Sequence, residues 1–303
     1  MQFEYPLLET LAAVIREGTF EAAAKSLNIT QSAVSQRVKL LEERTGAILI
    51  VRGRPCVATE YGQHLYRHIE QVQLLEHDLR NNLISIENPS TGVPAVIRIA
   101  VNSDSLASWF PEVARRGTAE LNLHFDIVPD DQDYTAERLR NGDALAAVTA
   151  ESSTLQGCRR VALGGIEYLA IASPGFFATH FLGGVTQAAV SNATRLVYDR
   201  KDMLPEQWLL NVFSEPTPTQ GHWLPSYSGY MECCLNGTGW GMMPRFSVKS
   251  HLADGSLVEL IPDTPVVVPL FWQSSGPGSE IMKLLSAIVV DVARAHLLTP
   301  SEQ

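Results

Sequence analysis

Gly18-Thr19-Phe20-Glu21-Ala22-Ala23-Ala24-Lys25-Ser26-Leu27-Asn28-Ile29-Thr30-Gln31-Ser32-Ala33-Val34-Ser35-Gln36-Arg37-Val38-Lys39-Leu40-Leu41-Glu42-Glu43-Arg44-Thr45-Gly46 decides the fold of the N-terminal part of this 303-residue chain. Ala22 to Ala24 combine high helix propensity with side chains small enough for another helix to approach, which predicts a first helix over 20–27. Asn28-Ile29 turns the chain, and Thr30 is a good N-cap for a second helix. Val34, Val38 and Leu41 then recur at helical spacing as a core stripe. Gln31, Ser32, Ser35, Gln36 and Lys39 are left on the open face. Short hydroxyls and amides in the first turns suit base edges, and Arg37 and Lys39 suit phosphates. A helix-turn-helix presents its second helix in this way, although an ordinary helical hairpin with a polar exterior has the same spacing.

The segment that follows favours the first alternative. Ile48-Leu49-Ile50-Val51 is β-prone, Arg52-Gly53-Arg54-Pro55 is a turn with two arginines, and Val57-Ala58-Thr59 returns. Together they predict a small β-wing whose tip, carrying Arg52 and Arg54, suits a phosphate backbone or a minor groove.

From Leu11 to Arg52 the chain resembles the winged helix-turn-helix of LysR-type bacterial transcriptional regulators. Gly18-Thr19-Phe20, the alanine run, Leu27, Gln31-Ser32-Ala33-Val34-Ser35, Leu41-Glu42, Gly46, Leu49 and Arg52 carry the likeness. Ser35-Gln36-Arg37-Val38-Lys39 and Leu49-Ile50-Val51-Arg52 are similar to the branch that regulates lysine and arginine exporters, called LysG or ArgP and sometimes labelled chromosome replication initiation inhibitor. Ala100-Val101-Asn102-Ser103-Asp104-Ser105-Leu106-Ala107-Ser108-Trp109 extends the resemblance over nearly the whole length.

Composition agrees. With 45% hydrophobic and 18% charged residues, the chain is able to bury cores for two or three compact units. No apolar run has membrane-spanning length, and Met-Gln-Phe-Glu-Tyr-Pro lacks the basic start and apolar core of a signal peptide, so a cytoplasmic location is expected. Cys56, Cys158, Cys233 and Cys234 have neither zinc-ligand spacing nor a disulfide pattern and read as ordinary thiols, the adjacent pair being open to oxidation. No metal or cofactor is expected. The net charge of −10 is unevenly spread: residues 31–54 hold five basic and two acidic side chains, whereas 91 onward holds 14 basic and 22 acidic. An acidic body behind a basic head orients the head toward a duplex and makes binding depend on salt.

A long helix is predicted from Thr59 or Glu60 to about Ser85, with Leu65, Val72, Leu79 and Ile86 one heptad apart and Ile69, Leu75 and Leu83 alongside. Such a stripe predicts dimerisation through Leu65, Ile69, Val72, Leu79 and Leu83, against the alternative of a helix packed on its own body; Glu76 interrupts the seam. Asn88-Pro89-Ser90-Thr91-Gly92-Val93-Pro94 reads as a hinge. The expected organisation is therefore a DNA-binding head at 1–59, a linker helix and hinge at 60–94, and a body at 95–303.

Beyond the hinge, strands at 96–101, 121–128, 144–149 and 168–172 alternate with helices near 105–116 and 135–141, a parallel α/β pattern. A second set has strands at 196–198, 222–224 and 240–243 and helices near 206–213 and 229–235, and strand 270–273 and a helix near 279–297 return to the first. The resemblance implies an α+β multidomain chain ending in a two-lobed α/β effector domain similar to periplasmic solute-binding proteins, with lobe I at about 95–166 and 265–303, lobe II at about 167–264, and a ligand cleft between them. Ligands of open α/β sheets sit at the carboxyl ends of the strands. That rule points to Asn102-Ser103-Asp104-Ser105, whose hydroxyls and N–H groups suit a carboxylate while Asp104 suits an ammonium group; simple helix capping is the alternative. Asp130-Asp131-Gln132-Asp133 suits a cationic side chain, or is only an exposed acidic turn. Trp109 is expected to provide an apolar or cation–π wall, and Tyr198-Asp199 and Ser226-Tyr227-Ser228 to face the ligand from the other lobe.

Gln132, Tyr227 and Ser228 depart from the exporter-regulator pattern, where a third acid, a small residue and a glutamate are typical. The expected effector is therefore a basic amino acid, lysine or arginine, with a neutral or aromatic amino acid or another metabolite as the competing reading. The partners implied are double-stranded operator DNA, RNA polymerase and further copies of the chain, as a dimer assembling to a tetramer, with no membrane. Enzyme classes are disfavoured, since nucleophile-elbow, phosphate-loop, dinucleotide and His-Glu-x-x-His motifs are all missing. A purely architectural DNA binder or replication inhibitor, without ligand response, is the remaining rival.

Overall fold

The computed structural model describes residues 4–84, 94–130, 138–139, 143–200, 202–275 and 279–299. They form two compact units, one made of Met1–Asn102, Glu112–Val161 and Trp272–Val290, the other of Ser103–Pro111, Ala162–Phe271 and Asp291–Gln303.

The first unit begins with three helices, α1 (Tyr5–Glu17), α2 (Phe20–Ser26) and α3 (Gln31–Thr45). Each has a chemical start and stop. Thr19 Oγ1 accepts from the Ala22 N–H and Thr30 Oγ1 from the Ala33 N–H, while Gly18 and Gly46, both left-handed, end α1 and α3. Asn28 takes the left-handed turn conformation between α2 and α3. Val34, Val38 and Leu41 are buried against Leu7, Leu11 and Val14 of α1 in one continuous head core. β1 (Ile50–Val51) and β2 (Val57–Ala58) pair antiparallel as the expected wing. Glu42 Oε1 ties α3 to its base by accepting the Leu49 N–H at 2.9 Å.

α4 runs over Glu60–Ile84, opened by Thr59 Oγ1, which accepts the Gly62 N–H. Its first half corrects the expected dimer stripe. Ile69 is fully buried in the head core and closed to a partner chain, while Leu65 and Val72, half-buried, pack on the same core. Leu75 and Leu79 are more than half exposed. A seven-residue stripe fits either partner equally well, and here the head takes the first three members. The side chain of Leu83 lies outside the described residues, as does the hinge up to Val93.

The body part of this unit holds β3 (Ala95–Asn102), α6 (Phe110–Leu121), β4 (Leu123–Asp130) and β5 (Ala146–Thr149), α5 being the short helix Ser103–Leu106 of the second unit. β3 is central, parallel to β4 and β5, with Asn102 in register with Asp130 at the carboxyl ends. The predicted single helix near 105–116 is two helices, because Pro111 has no N–H for a continuous ladder and α5 closes after one turn. α6 in turn runs to Leu121, and left-handed Asn122 starts β4 two residues later than expected. Buried Gln273 anchors the loop after β5: its Oε1 accepts the Leu155 N–H, and its Nε2 donates to the carbonyls of Glu151 and Ser153. Of the predicted helix at 135–141 only Arg138 and Leu139 are described, and they are helical.

β6 (Cys158–Ala172) carries the chain into the second unit and is far longer than the predicted 168–172. There follow α7 (Pro174–His180), α8 (Gln187–Asn192), β7 (Arg195–Val197), α9 (Leu204–Phe213), β8 (Gly221–Trp223), α10 (Tyr227–Leu235), β9 (Gly241–Pro244), α11 (Arg245–Asp254), β10 (Val258–Glu259), β11 (Val266–Ser275) and α12 (Glu280–His296). β9 and β10 pair antiparallel with β6, and β7 pairs parallel with β8. Buried Tyr230 on α10 locks these elements: its hydroxyl donates to the Leu196 carbonyl and accepts the Met242 N–H, both at 2.9 Å. Gly241 is obligatory opposite it, since a Cβ there would overlap the Tyr230 ring.

Candidate functional site

Two sets of the sequence-predicted residues assemble. In the head, Gln31, Ser32, Gln36 and Lys39 are exposed along α3, Ser35 is half-buried, and Thr30 is exposed with its hydroxyl 3.0 Å from Ser32 Oγ. Arg52 and Arg54 are exposed at the wing tip, and Arg52 stacks 5.2 Å over the Phe20 ring. Gln31 and both arginines line one open groove with Thr19 and Phe20, so the start of α3 and the wing face a common space. Arg37 differs from expectation. It is half-buried and its Nη1 donates to Thr10 Oγ1 of α1 at 3.4 Å, which steadies the guanidinium on the head; Lys39 keeps its exposure beside Glu43 at 3.6 Å.

The second set belongs to the second unit. Asp104 on α5 accepts a 2.5 Å hydrogen bond on Oδ2 from the hydroxyl of Tyr168, a buried residue of β6. Ser103 Oγ lies 3.1 Å from the Tyr198 hydroxyl at the end of β7. Burial raises the Asp104 carboxyl from its ordinary 3.8 to about 6; the Tyr168 bond works against that rise and the nearby Asp202 carboxylate adds to it. Asp202 is itself raised by burial, although it accepts the N–H groups of Tyr198 and Leu204. Ser105 is fully buried, and its hydroxyl has no hydrogen-bond partner among the described residues. Ser226 caps α10 through the Gly229 N–H, exposed Ser228 follows it, and half-buried Tyr227 is hydrogen-bonded to Ser247 of α11. A carboxyl raised by burial, the partnerless Ser105 hydroxyl and the phenols of Tyr168 and Tyr198 suit a ligand that donates a positively charged hydrogen-bonding group.

Several expectations need correction. Trp109 is completely buried, edge-on to Phe110 in the core, and offers no wall to a ligand. Four-residue α5 is too short for a helix-end charge, so any carboxylate contact there falls to side-chain hydroxyls. Asp199 turns back to accept the Asp202 N–H at 3.0 Å. In the first unit, Asn102 is buried with both amide atoms lacking partners among the described residues. For Asp130 only the backbone is described, and Asp131 and Gln132 lie outside the described residues. Tyr168 and Asp202 were missed: Tyr168 reads as one more apolar strand residue, and nothing local marks either as a neighbour of Asp104.

Among the described residues no helix is long and apolar enough to cross a membrane, no group of three metal-ligating side chains occurs, and all four cysteines are free thiols. A winged helix-turn-helix head followed by a long helix and an α/β body defines the class of ligand-responsive transcription factors. Residues 6–63 match the bacterial regulatory helix-turn-helix proteins of the lysR family and residues 90–294 match the LysR substrate binding domain, so the chain belongs to the LysR family of transcriptional regulators, which bind operator DNA and sense an effector. It is of the ArgP/LysG type and not an enzyme. It is 38% identical over 288 residues to the HTH-type transcriptional regulator ArgP of Pseudomonas fluorescens, covering 95% of this chain and 96% of that one. ArgP from Mycobacterium tuberculosis has a crystal structure with a TM-score of 0.85 and 37% identity, covering 99% of this chain and all of the other. Full-length LysG from Corynebacterium glutamicum with bound effector Arg gives a TM-score of 0.72 and 31% identity, covering 98% and 100%.

Proposed function

We propose that this regulator senses a basic amino acid, arginine or lysine, through Asp104, and thereby controls an amino-acid exporter gene. The observation that carries the reading is the desolvated Asp104 carboxyl, whose bond from Tyr168 leaves one oxygen for a cationic donor. The related LysG with bound arginine supports the same class of ligand. Ser103, Ser105, Tyr198, Asp199, Ser226 and Ser228 surround or flank this acid in the proposal; of the other sequence-predicted residues, Asn102 and Asp130 belong to the first unit, and Asp131 and Gln132 lie outside the described residues. Tyr227 narrows the site, and its bond to Ser247 favours, as the second reading, a smaller neutral amino acid.

The DNA-reading set is Thr30, Gln31, Ser32, Ser35, Gln36, Lys39, Arg52 and Arg54, with Arg37 bracing it. A head at 1–59, hinge at 60–94 and effector body at 95–303 belong to the same proposal, as do a cytoplasmic location, contact with RNA polymerase, and a dimer that assembles to a tetramer. Exposed Leu79 on α4 is the dimer contact it retains, and exposed Leu75, outside the expected set, is added to it. Two half-site readers joined in one dimer gain affinity through effective concentration. Calorimetric titration of the full-length protein with arginine, lysine and neutral amino acids tests the effector. Selective binding of a basic amino acid, lost in Asp104→Asn, is expected; selective binding of a neutral one, or binding indifferent to Asp104, refutes the basic-amino-acid reading.

A further inference from the structure

The wing is fixed to the turn between α1 and α2. The Cys56 N–H donates to the Gly18 carbonyl at 2.7 Å, and a Cβ on Gly18 would come within 3.1 Å of the Pro55 side chain, so wing and turn are in close contact. Two residues past Gly18, Phe20 opens α2 with its ring partly buried against the head core. That ring also meets the exposed wing-tip residue Arg52, whose guanidinium carbon lies 5.2 Å over the ring centroid. Phe20, Arg52, Arg54 and Gln31 line one groove. Glu17 and Glu21 line it too, but each carboxylate has a cation on its own helix, Arg16 at 3.8 Å and Lys25 at 3.1 Å. Among the described residues neither Arg52 nor Arg54 forms an ion pair.

The kind of partner decides what Arg52 is able to do. An exposed arginine left to itself samples many rotamers, and ordering such a side chain on binding costs affinity. A carboxylate would order it but offset its charge. An aromatic ring holds the guanidinium by its face, which leaves the charge and the in-plane N–H donors open to a phosphate. We propose that Phe20 is a positioning residue for DNA binding, its ring holding the Arg52 guanidinium ready for the duplex backbone in the groove that both share with Gln31. The inference rests on the assignment of Arg52 to the DNA-reading set. It gives the Phe20 ring a task beyond filling the head core, since an aliphatic side chain of similar size would fill that core without holding a guanidinium.

The test is fluorescence anisotropy of a labelled random-sequence duplex of about 30 base pairs, titrated with the full-length protein at fixed low ionic strength, because a backbone contact is felt on any sequence. The parent chain, Phe20→Leu, Arg52→Ala and the double variant form a thermodynamic cycle. Leucine keeps an apolar side chain against the head core and removes the ring. Phe20→Leu is expected to weaken binding about two- to fivefold, the fold-change equivalent of an exposed cation–π contact. On the Arg52→Ala background the same substitution is expected to have no further effect. An equal loss on both backgrounds means that Phe20 acts through the fold of the head and overturns the inference. So does parent-like binding by Phe20→Leu when Arg52→Ala binds weakly, and that result leaves the wing assignment standing. Parent-like binding by Arg52→Ala overturns the wing assignment and the inference with it.

Discussion

Replacing Asp104 by Asn should make the ligand-free protein more stable at neutral pH while abolishing its response to a cationic effector. The carboxyl is raised from 3.8 to about 6, chiefly by burial. A folded-state pKa above the unfolded one means that stability from this group is complete below pH 3.8 and is lost as pH climbs through about 6. At pH 7.5 the ionised acid therefore costs about 3 kcal/mol relative to a neutral group, roughly half of that at pH 5, and only about 0.6 kcal/mol at pH 4. The substituted amide is neutral throughout and keeps an oxygen to accept from Tyr168. Urea unfolding of both proteins at pH 7.5 and pH 5 is the assay. The Asn variant should be more stable by up to about 3 kcal/mol at pH 7.5, with the advantage roughly halving at pH 5. An equal advantage at both pH values, or a variant less stable than the parent at pH 7.5, would refute the idea that Asp104 is held at a cost. In the parent chain the affinity for arginine should fall as pH drops below about 6, where the acid takes up its proton.

Three further outcomes follow from the geometry. Asp78 of α4 accepts from Ser279 Oγ and from the Glu280 and Ile281 N–H groups at the start of α12, so Asp78→Ala should cost about 1–2 kcal/mol, a loss of about 5- to 30-fold in amide exchange protection over the first turn of α12; unchanged exchange there would contradict it. Gly62→Ala puts a Cβ into the Leu49 carbonyl oxygen, which already accepts the Thr59 N–H, and should destabilise the head by about 1–3 kcal/mol; an unaltered melting curve would show that α4 shifts freely. Gln31→Ala and Ser35→Ala should relax base preference at single operator positions by about 1–3 kcal/mol each, whereas Arg52→Ala and Arg54→Ala should weaken all sequences alike and lower the salt slope by about one apiece; quantitative footprinting over a salt series distinguishes the two, and the reverse pattern would overturn the assignment.

How far the residues reveal the molecule depends on the range over which each interaction acts. Thr19, Thr30, Gly18 and Gly46 are local signals, since a cap or a left-handed stop is decided within one turn, and the helices of the head begin and end on them. The stripe on α4 is different. Leu65, Ile69 and Val72 have helical spacing whether the apolar partner is another chain or the head of their own, and spacing carries no information about which. Trp109 misleads for a related reason: a tryptophan beside a polar loop looks available, yet its ring is completely buried, edge-on to Phe110. Parallel α/β order was legible through apolar strands alternating with helices, while α7 and α8, too short for a repeat, and α11, with little apolar periodicity, left no comparable pattern.

The ligand site shows the same division more sharply. The loop Ser103-Asp104-Ser105 is marked by its place after a strand, which is why it was identifiable, but the properties of Asp104 are set by groups far away in sequence. Tyr168 is 64 residues distant and Asp202 lies beyond β7, and together with burial they decide whether the acid is an ordinary helix cap or a strained receptor for a cation. A cap would be satisfied by nearby N–H groups and would stabilise the charged form. Asp104 instead accepts a phenol, has a second carboxylate nearby and is raised toward neutrality, so its charged form is the less comfortable one until a positive partner arrives. In the proposed mechanism, ligand binding relieves an existing electrostatic cost as well as adding contacts. That differential is what gives an effector leverage over the population of conformations, because a ligand shifts an equilibrium only by as much as it prefers one state to another.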